Sequence, residues 1–376
     1  IFLPFTSPMS ASQKPPNPFA NVAGLSKAKL KRVASSEKRD ASKPRINNKS
    51  DIGEKDVVNY QNVVIEANIE AWEEALKSET FATVYLPLST QEAGAFLAVN
   101  EAYAEKKQAD QEYHDILTKV EEKLQALMDK QTEWNEGVFV KTSSRSAKDA
   151  TIAQERLLSE YKSYLRSIAK PPYPMNERII ALLHAGTQML KCATAKDAMS
   201  LLTTSERIEQ DMRLALDVHK RTGEWTENLV VRQWVTIDVS QEWRCFVHER
   251  KVTAVSQYNY LPVFDDLLEH REYLERTILD YLNNVCIPAL PADTFKNMVI
   301  DLALTGDVYK QPKLWVIELN PFLTSTDGAL FSWAADEDVI FGRKPFEFRL
   351  NEKRSEGVKT SLVHEWRKLV DLPIDD

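Results

Sequence analysis

The chain has 376 residues, 43% of them hydrophobic and 28% charged, with a formal net charge of −8. That length and mix allow a substantial buried core in two or three lobes, and no stretch approaches the ~20 consecutive apolar residues of a membrane helix. Residues 1–50 hold ten Lys/Arg against two acids, Glu37 and Asp40, so the remainder carries −16: a cationic arm precedes an acidic body.

Residues 1–55 are rich in Ser, Pro, Asn and Lys and have few large apolar side chains after Phe19. Such a segment cannot bury enough surface to offset the entropy of folding, and a disordered basic arm is expected. Its KAKLKR run is the one place where nucleic-acid contact is considered, a solvated tail being the common meaning of such a run. The opening IFLPFTSP lacks a basic n-region and is broken by prolines, unlike a secretory leader; MSASQ from Met9 is expected to be the natural start. Cys192, Cys245 and Cys286 are odd in number, far apart and without a C-x-x-C pair. Three free thiols in a reducing, cytoplasmic setting are therefore expected, with no structural zinc.

FATVYLPL (81–88) alternates as a strand and stops at a proline. Ser89 and Glu92 then have capping-box spacing, so a helix should follow. Tyr113, Ile116, Leu117, Val120, Leu124, Leu127 and Met128 share one helical face, expected to pack on the body within a long helix over about 101–130. GVFVK (137–141) is a short strand leading into the basic, Ser-rich loop TSSRSAKDA. Residues 151–221 read as helical, interrupted by KPPYP (170–174). LVVRQWVTI (229–237), the hairpin EWRCFV-HERK-VTAVSQY (242–258), a helix over 266–284, KNMVIDLALT (296–305) and KLWVIELNPF (313–322) complete an α+β chain whose second half is dominated by strands.

No phosphate-loop pattern, strand-linked G-x-G-x-x-G or H-E-x-x-H is present, and ten glycines in the whole chain leave phosphate binding to side chains. VIELNP (316–321) supplies a candidate site. Glu318 and Asn320 point to one face of a strand, and Asp301 on the preceding strand would join them in an antiparallel pair. Three oxygen-bearing side chains rimmed by apolar residues suit Mg²⁺, although Glu-x-Asn alone also fits a solvent-facing sheet side. Lys141 ends a strand where it can reach phosphates, with Arg145 and Lys148 on the next loop. Arg244 alternates with Glu242 in EWRCFV, which implies either a mutual pair or a bound polyanion. Taken together the residues suggest a nucleoside triphosphate site, with the free edge of LVVRQW against adenine.

In their order LVVRQW, EWRCFVHERKVTAVSQY, VIDLAL, WVIELNPF and TDGALFSW resemble the eukaryotic cell-division-cycle protein 123 family, a divergent branch of the ATP-grasp fold. FATVYLPLS, VFVKTSSRSAKDA and LKCATAKDAMSLL extend the likeness upstream, the last as a Leu-Lys-Cys helix, so that it covers about 60–335. The resemblance implies an ATP-grasp-like α+β fold, two lobes with largely antiparallel sheets enclosing a nucleotide cleft. The lobes would be 56–230, with helical insertions, and 231–350, followed by a tail at 351–376. It also implies that Lys141, Ser146 and Lys148 face the phosphates and that Arg232, Gln233 and Trp234 border adenine. Glu242 and Arg244 would hold ribose and phosphate, and Asp301, Glu318 and Asn320 would hold Mg²⁺. Glu318 replaces the family's usual Asp, Tyr258 a usual arginine, and Ala147-Lys148 a usual Pro-Arg, while 151–175 reads as an insertion. The implied function is that of an ATP- and Mg²⁺-binding assembly chaperone for eukaryotic translation initiation factor two, acting on its gamma subunit in translation initiation and cell-cycle progression. A cytoplasmic monomer without membrane attachment is expected. The alternatives are an active ATP-grasp ligase or kinase on a peptide or small molecule, and a nucleotide-independent scaffold.

Overall fold

The computed structural model describes residues 54–354, 362, 364–372 and 374. The expected basic arm lies outside them apart from Glu54 and Lys55, which open helix α1 (Glu54–Glu66).

Two sheets organise the chain. The first holds β1 (Thr83–Pro87), β2 (Val138–Thr142), β3 (Lys191–Cys192) and β4 (Asn228–Gln233) in the order β1-β4-β2-β3, antiparallel throughout. The second holds β5 (Glu242–His248), β6 (Lys251–Gln257), β7 (Met298–Asp307), β8 (Gln311–Pro321) and β9 (Glu347–Arg349) in the order β8-β7-β5-β6-β9, with only the β6–β9 pair parallel. The two-lobed, largely antiparallel α+β architecture is as expected. β4 completes the first sheet, so the division between the sheets falls after Gln233 and not at 230.

Alternation sets what each face carries. Val138, Val140, Leu229 and Val231 turn to one side of the first sheet. There they pack on α2 (Thr90–Ala104), α3 (Gln111–Asp129), α6 (Ala195–Leu202) and α7 (Glu206–Thr222). Phe139, Lys141, Val230 and Arg232, their neighbours in register, share the opposite face. In the second sheet Trp243, Cys245, Val247, Ile300, Leu302 and Val316 build the largest core with α8 (Arg271–Tyr281), which leaves Glu242, Arg244, Asp301 and Glu318 on the other face.

Local chemistry accounts for the element ends. Ser89 accepts from the Glu92 N–H and Glu92 reciprocates, the capping box that starts α2. The long helix expected over 101–130 is two helices: α2 ends at Ala104, Lys106 takes a positive φ of 55°, and α3 begins at Gln111. Leu117, Val120, Leu124 and Met128 are buried against the body. The hairpin tip is the two residues Glu249 and Arg250, both with positive φ as a twist-matched hairpin turn requires. Arg250 donates to the carbonyls of Ile287 (2.6 Å), Leu290 (3.3 Å) and Phe295 (3.4 Å), which pins the tip. Lys191–Cys192 is a short strand and not the start of a helix; the helix follows, capped by Thr194 and Asp197. The stretch read as an insertion contains α4 (Leu157–Ile168), which packs on α5 (Met175–Gln188) and on α9 (His364–Val370).

Candidate functional site

The polar faces of the two sheets look at one another. The segment just before β1 ties them together at one end through β8, where Val316 N–H donates to the Glu79 carbonyl (2.7 Å) and the Thr80 hydroxyl to the Val316 carbonyl (2.6 Å).

On the second sheet Asp301 lies opposite Glu318 in register, and Asn320 follows two residues on. The expected triad is therefore on one face. A bulge between Asp301 and Leu302 leaves Ile317 as the extra residue of β8, and its side chain lines the cleft. Asp301 is 3% exposed and accepts both oxygens' worth of Arg244, at 2.8 and 2.7 Å, and the Asn320 amide at 2.9 Å. Arg244 thus pairs with Asp301 and not with Glu242. Its remaining nitrogen donates to the Asp327 carbonyl (2.7 Å). The chain then turns through Gly328, where any Cβ would lie 2.1 Å from the Phe331 carbonyl oxygen.

On the first sheet Lys141 is buried and reaches across to Glu318 at 2.7 Å. Burial pushes the Glu318 carboxyl up, but the Lys141 and Lys148 charges outweigh it and hold the group at about 2. Arg232, 1% exposed, donates to the Ile317 carbonyl (2.6 Å) and to Thr80, and lies over the Phe81 ring at 4.8 Å. Burial brings its guanidinium down to about 10, against the pull of Glu318. Lys148 donates to the Tyr258 hydroxyl (3.1 Å). Burial works against its charge, yet Tyr258, Glu242 and Glu318 raise it above the usual lysine range. Glu242 is pushed up by burial, with Lys148 opposing, and accepts from Asn259 (3.3 Å). Tyr258 sits under two cations, Arg244 at 4.8 Å and Lys148 at 5.0 Å from its ring centre.

Four cations, Lys141, Lys148, Arg232 and Arg244, thus face three carboxylates, one of which is biased toward its neutral form. Buried cations without matching anions are costly, so the surplus marks a place for a polyanion. Beside it a cavity of about 190 Å³ is lined by Phe81, Phe139, Trp234, Val235, Ile237 and Trp366 among others. LVVRQW offers no free edge there. β4 is central in its sheet, and the N–H groups of Gln233 and Trp234 donate to the carbonyls of Ala82 (2.9 Å) and Gly137 (3.1 Å). Val235, the residue after LVVRQW, also lines the cavity. Arg232, Gln233 and Trp234 all line it, and Arg232 also donates to the Ile317 carbonyl at the seam between the sheets.

The 142–148 loop is held from behind by residues that sequence reasoning did not single out. Asp211 on α7, 3% exposed, accepts from the Thr142 and Ser144 hydroxyls and from Arg145 Nε (2.6 Å). This turns Arg145 away from the cleft. Glu227 accepts the Ser143 N–H (3.0 Å), and Arg207 donates to the Ser146 carbonyl (2.8 Å). Ser146 itself is buried and bridges Lys141. An acid on the apolar face of α7 was the only available signal.

Among the described residues no three of His, Cys, Asp and Glu converge on one point. A hard cation here would draw on two carboxylates, an amide and oxygens of its ligand, which is how Mg²⁺ is commonly held. Asp301, Glu318 and Asn320 fit that requirement, with Arg244 and Lys141 as the groups that would exchange partners.

Parts of the chain are similar to known proteins. "Translation initiation factor eIF2 assembly protein" of Schizosaccharomyces pombe is 32% identical over 186 residues, 46% of this chain and 54% of that one. "Cell division cycle protein 123" of Phaeosphaeria nodorum is 31% identical over 155 residues, 39% of this chain and 38% of that one. The matched segments thus span about half or less of these relatives' lengths. The solved structure of Cdc123 from Schizosaccharomyces pombe superposes with a TM-score of 0.54 at 22% identity, covering 78% of this chain and 98% of that one, which shows the shared fold. The D123 family model matches residues 181–375, just over half of the chain, and this chain belongs to that family.

Proposed function

We propose that the cleft binds ATP with Mg²⁺ and that the protein serves in the cytoplasm as an assembly factor for translation initiation factor eIF2, acting on its gamma subunit and so supporting translation initiation and cell-cycle entry. The observation that carries the nucleotide reading is the convergence of the buried cations Lys141, Arg232 and Arg244 from two facing sheets, with Lys148 from the adjoining loop, beside a largely apolar cavity. The assembly reading rests on the names borne by relatives that match part of the chain.

Within this reading Lys141, Lys148 and Arg244 meet phosphate oxygens, and Asp301, Glu318 and Asn320 hold the metal, which would neutralise and orient the phosphates. Tyr258 keeps Lys148 and Arg244 in place through its ring and hydroxyl. Among the described residues no helix is long and apolar enough to cross a membrane.

Calorimetry with ATP and Mg²⁺ tests the first half. Binding to the wild type and loss of it in Asp301→Ala is expected; a wild type that gives no heat sinks the nucleotide reading. Ligand at 100 times its dissociation constant should also raise stability by ~2.7 kcal/mol in a thermal melt. Capture of the eIF2 gamma subunit by tagged, folded protein tests the second half, and failure to retrieve it removes the assembly role.

A further inference from the structure

One wall of the cavity comes from neither sheet. Trp366 lines it from α9. That helix is seven residues long, far too short to persist in isolation, so its position depends on what it touches. Val370 is 1% exposed and packs with Tyr161, Leu165 and Ile179. The Arg178 guanidinium on α5 donates to the carbonyls of Val370 (2.9 Å) and Leu372 (3.0 Å), which closes the C-terminal end. The indole itself lies on Gly186 of α5, where an added Cβ would stand 2.8 Å from its Cη2 atom. The missing side chain is what leaves room for the ring beside the cavity.

We propose that Trp366 is the stacking wall for the base of the bound nucleotide, and that docking of α9 and occupation of the base end are coupled. The inference rests on the nucleotide reading above. The cavity is lined by the charged Lys148, Arg232 and Glu242 and by apolar side chains that include Phe139, Leu190, Val235 and Trp366. A purine presents a flat π face of the kind that aromatic side chains stack on, irrespective of its edge pattern. A ligand that contacts the docked helix must stabilise that docking by the same factor by which docking strengthens its binding.

Two ligands separate this role from general binding: ATP with Mg²⁺, and inorganic tripolyphosphate with Mg²⁺, which has no base to stack. Trp366→Ala should weaken ATP about tenfold, equal to about 1.4 kcal/mol, and leave tripolyphosphate affinity unchanged. Trp366→Phe should restore most of the ATP affinity. Gly186→Leu, which displaces the indole without removing it, should match Trp366→Ala. In the wild type, amides of 364–370 should exchange about tenfold more slowly with ATP than with tripolyphosphate. Equal ATP affinity in wild type and Trp366→Ala overturns the inference, as does an equal loss for both ligands, which would mark a structural role. If the wild type binds neither ligand, the nucleotide reading fails and takes this inference with it.

Discussion

At the scale of single residues, Glu318 and Glu227 respond to their surroundings in opposite ways. Glu318 faces Lys141 and Lys148, and is held at about 2. Glu227 sits behind the loop, and burial together with the Asp211 charge pushes it up to about 8, against the Ser143 N–H that it accepts and with Glu70 adding to the rise. An unfolded glutamate titrates near ~4.3. Between that value and about 8 the folded chain keeps a proton on Glu227 that the unfolded chain has lost. Stability should therefore fall as pH rises through this window, by up to about 1.4 kcal/mol per unit. Urea melts from pH 5 to 8 should show this slope, and Glu227→Gln should flatten it; an identical slope in the variant would rule the assignment out. For Glu318 the sign reverses: its contribution is complete above ~4.3 and is lost as pH falls toward 2.

Glu318 and Asn320 were legible at this scale because strand alternation puts i and i+2 on one face, and Asp301 because antiparallel pairing sets the preceding strand beside them. Their partners were not: the sequence places Arg244 two residues from Glu242, whereas lateral pairing of β5 with β7 gives it to Asp301. Direct cross-strand neighbours are closer than i, i+2 neighbours along one strand, and for a buried charge the nearer partner wins.

At the scale of elements, the loop 142–148 depends on α7. Asp211 satisfies two hydroxyls and Arg145 Nε at once. Asp211→Ala leaves these donors without their shared acceptor, and a loss of about 1.5–3 kcal/mol is expected, the worth of one hydrogen bond to a charged group. Denaturant unfolding measures it. Because the loop carries Ser146 and Lys148, tripolyphosphate affinity should fall in the same variant, while Asp217→Ala, on an outer face of α7 with only Lys220 nearby, should alter neither. The bulge in β8 belongs here as well. It turns Ile317 into the cleft and frees its carbonyl for Arg232, a shift that no period-2 pattern in WVIELN announces. The same limit explains the misplaced adenine edge. LVVRQW reads as an apolar strand whether it is central or at an edge, and only the sheet order decides which.

At the scale of the whole molecule, the thiols give a direct check on how tightly the lobes are closed. Cys192, Cys245 and Cys286 are all buried, and burial raises each thiol above its ordinary value, Cys192 and Cys286 to about 12. The thiolate is the reactive form. Ellman's reagent should therefore find essentially no reactive thiol in the native protein and three after denaturation. A thiol that reacts rapidly in the native state would show that one of the two cores opens.

Local periodicities follow from the sequence: two sets of alternating strands, the capped helix α2, the buried face of α3, and the acid and amide side chains of β7 and β8 that share a face. Those follow from backbone geometry and side-chain hydrophobicity, which act within a few residues. Only the tertiary structure decided that β4 is central, that Lys141 meets Glu318 from the other sheet, that Asp211 and Glu227 fix the loop, and that Trp366 closes the cavity from the far end of the chain. Each of these joins residues distant in sequence, and such contacts are selected by the packing of whole faces against one another, which no local pattern encodes.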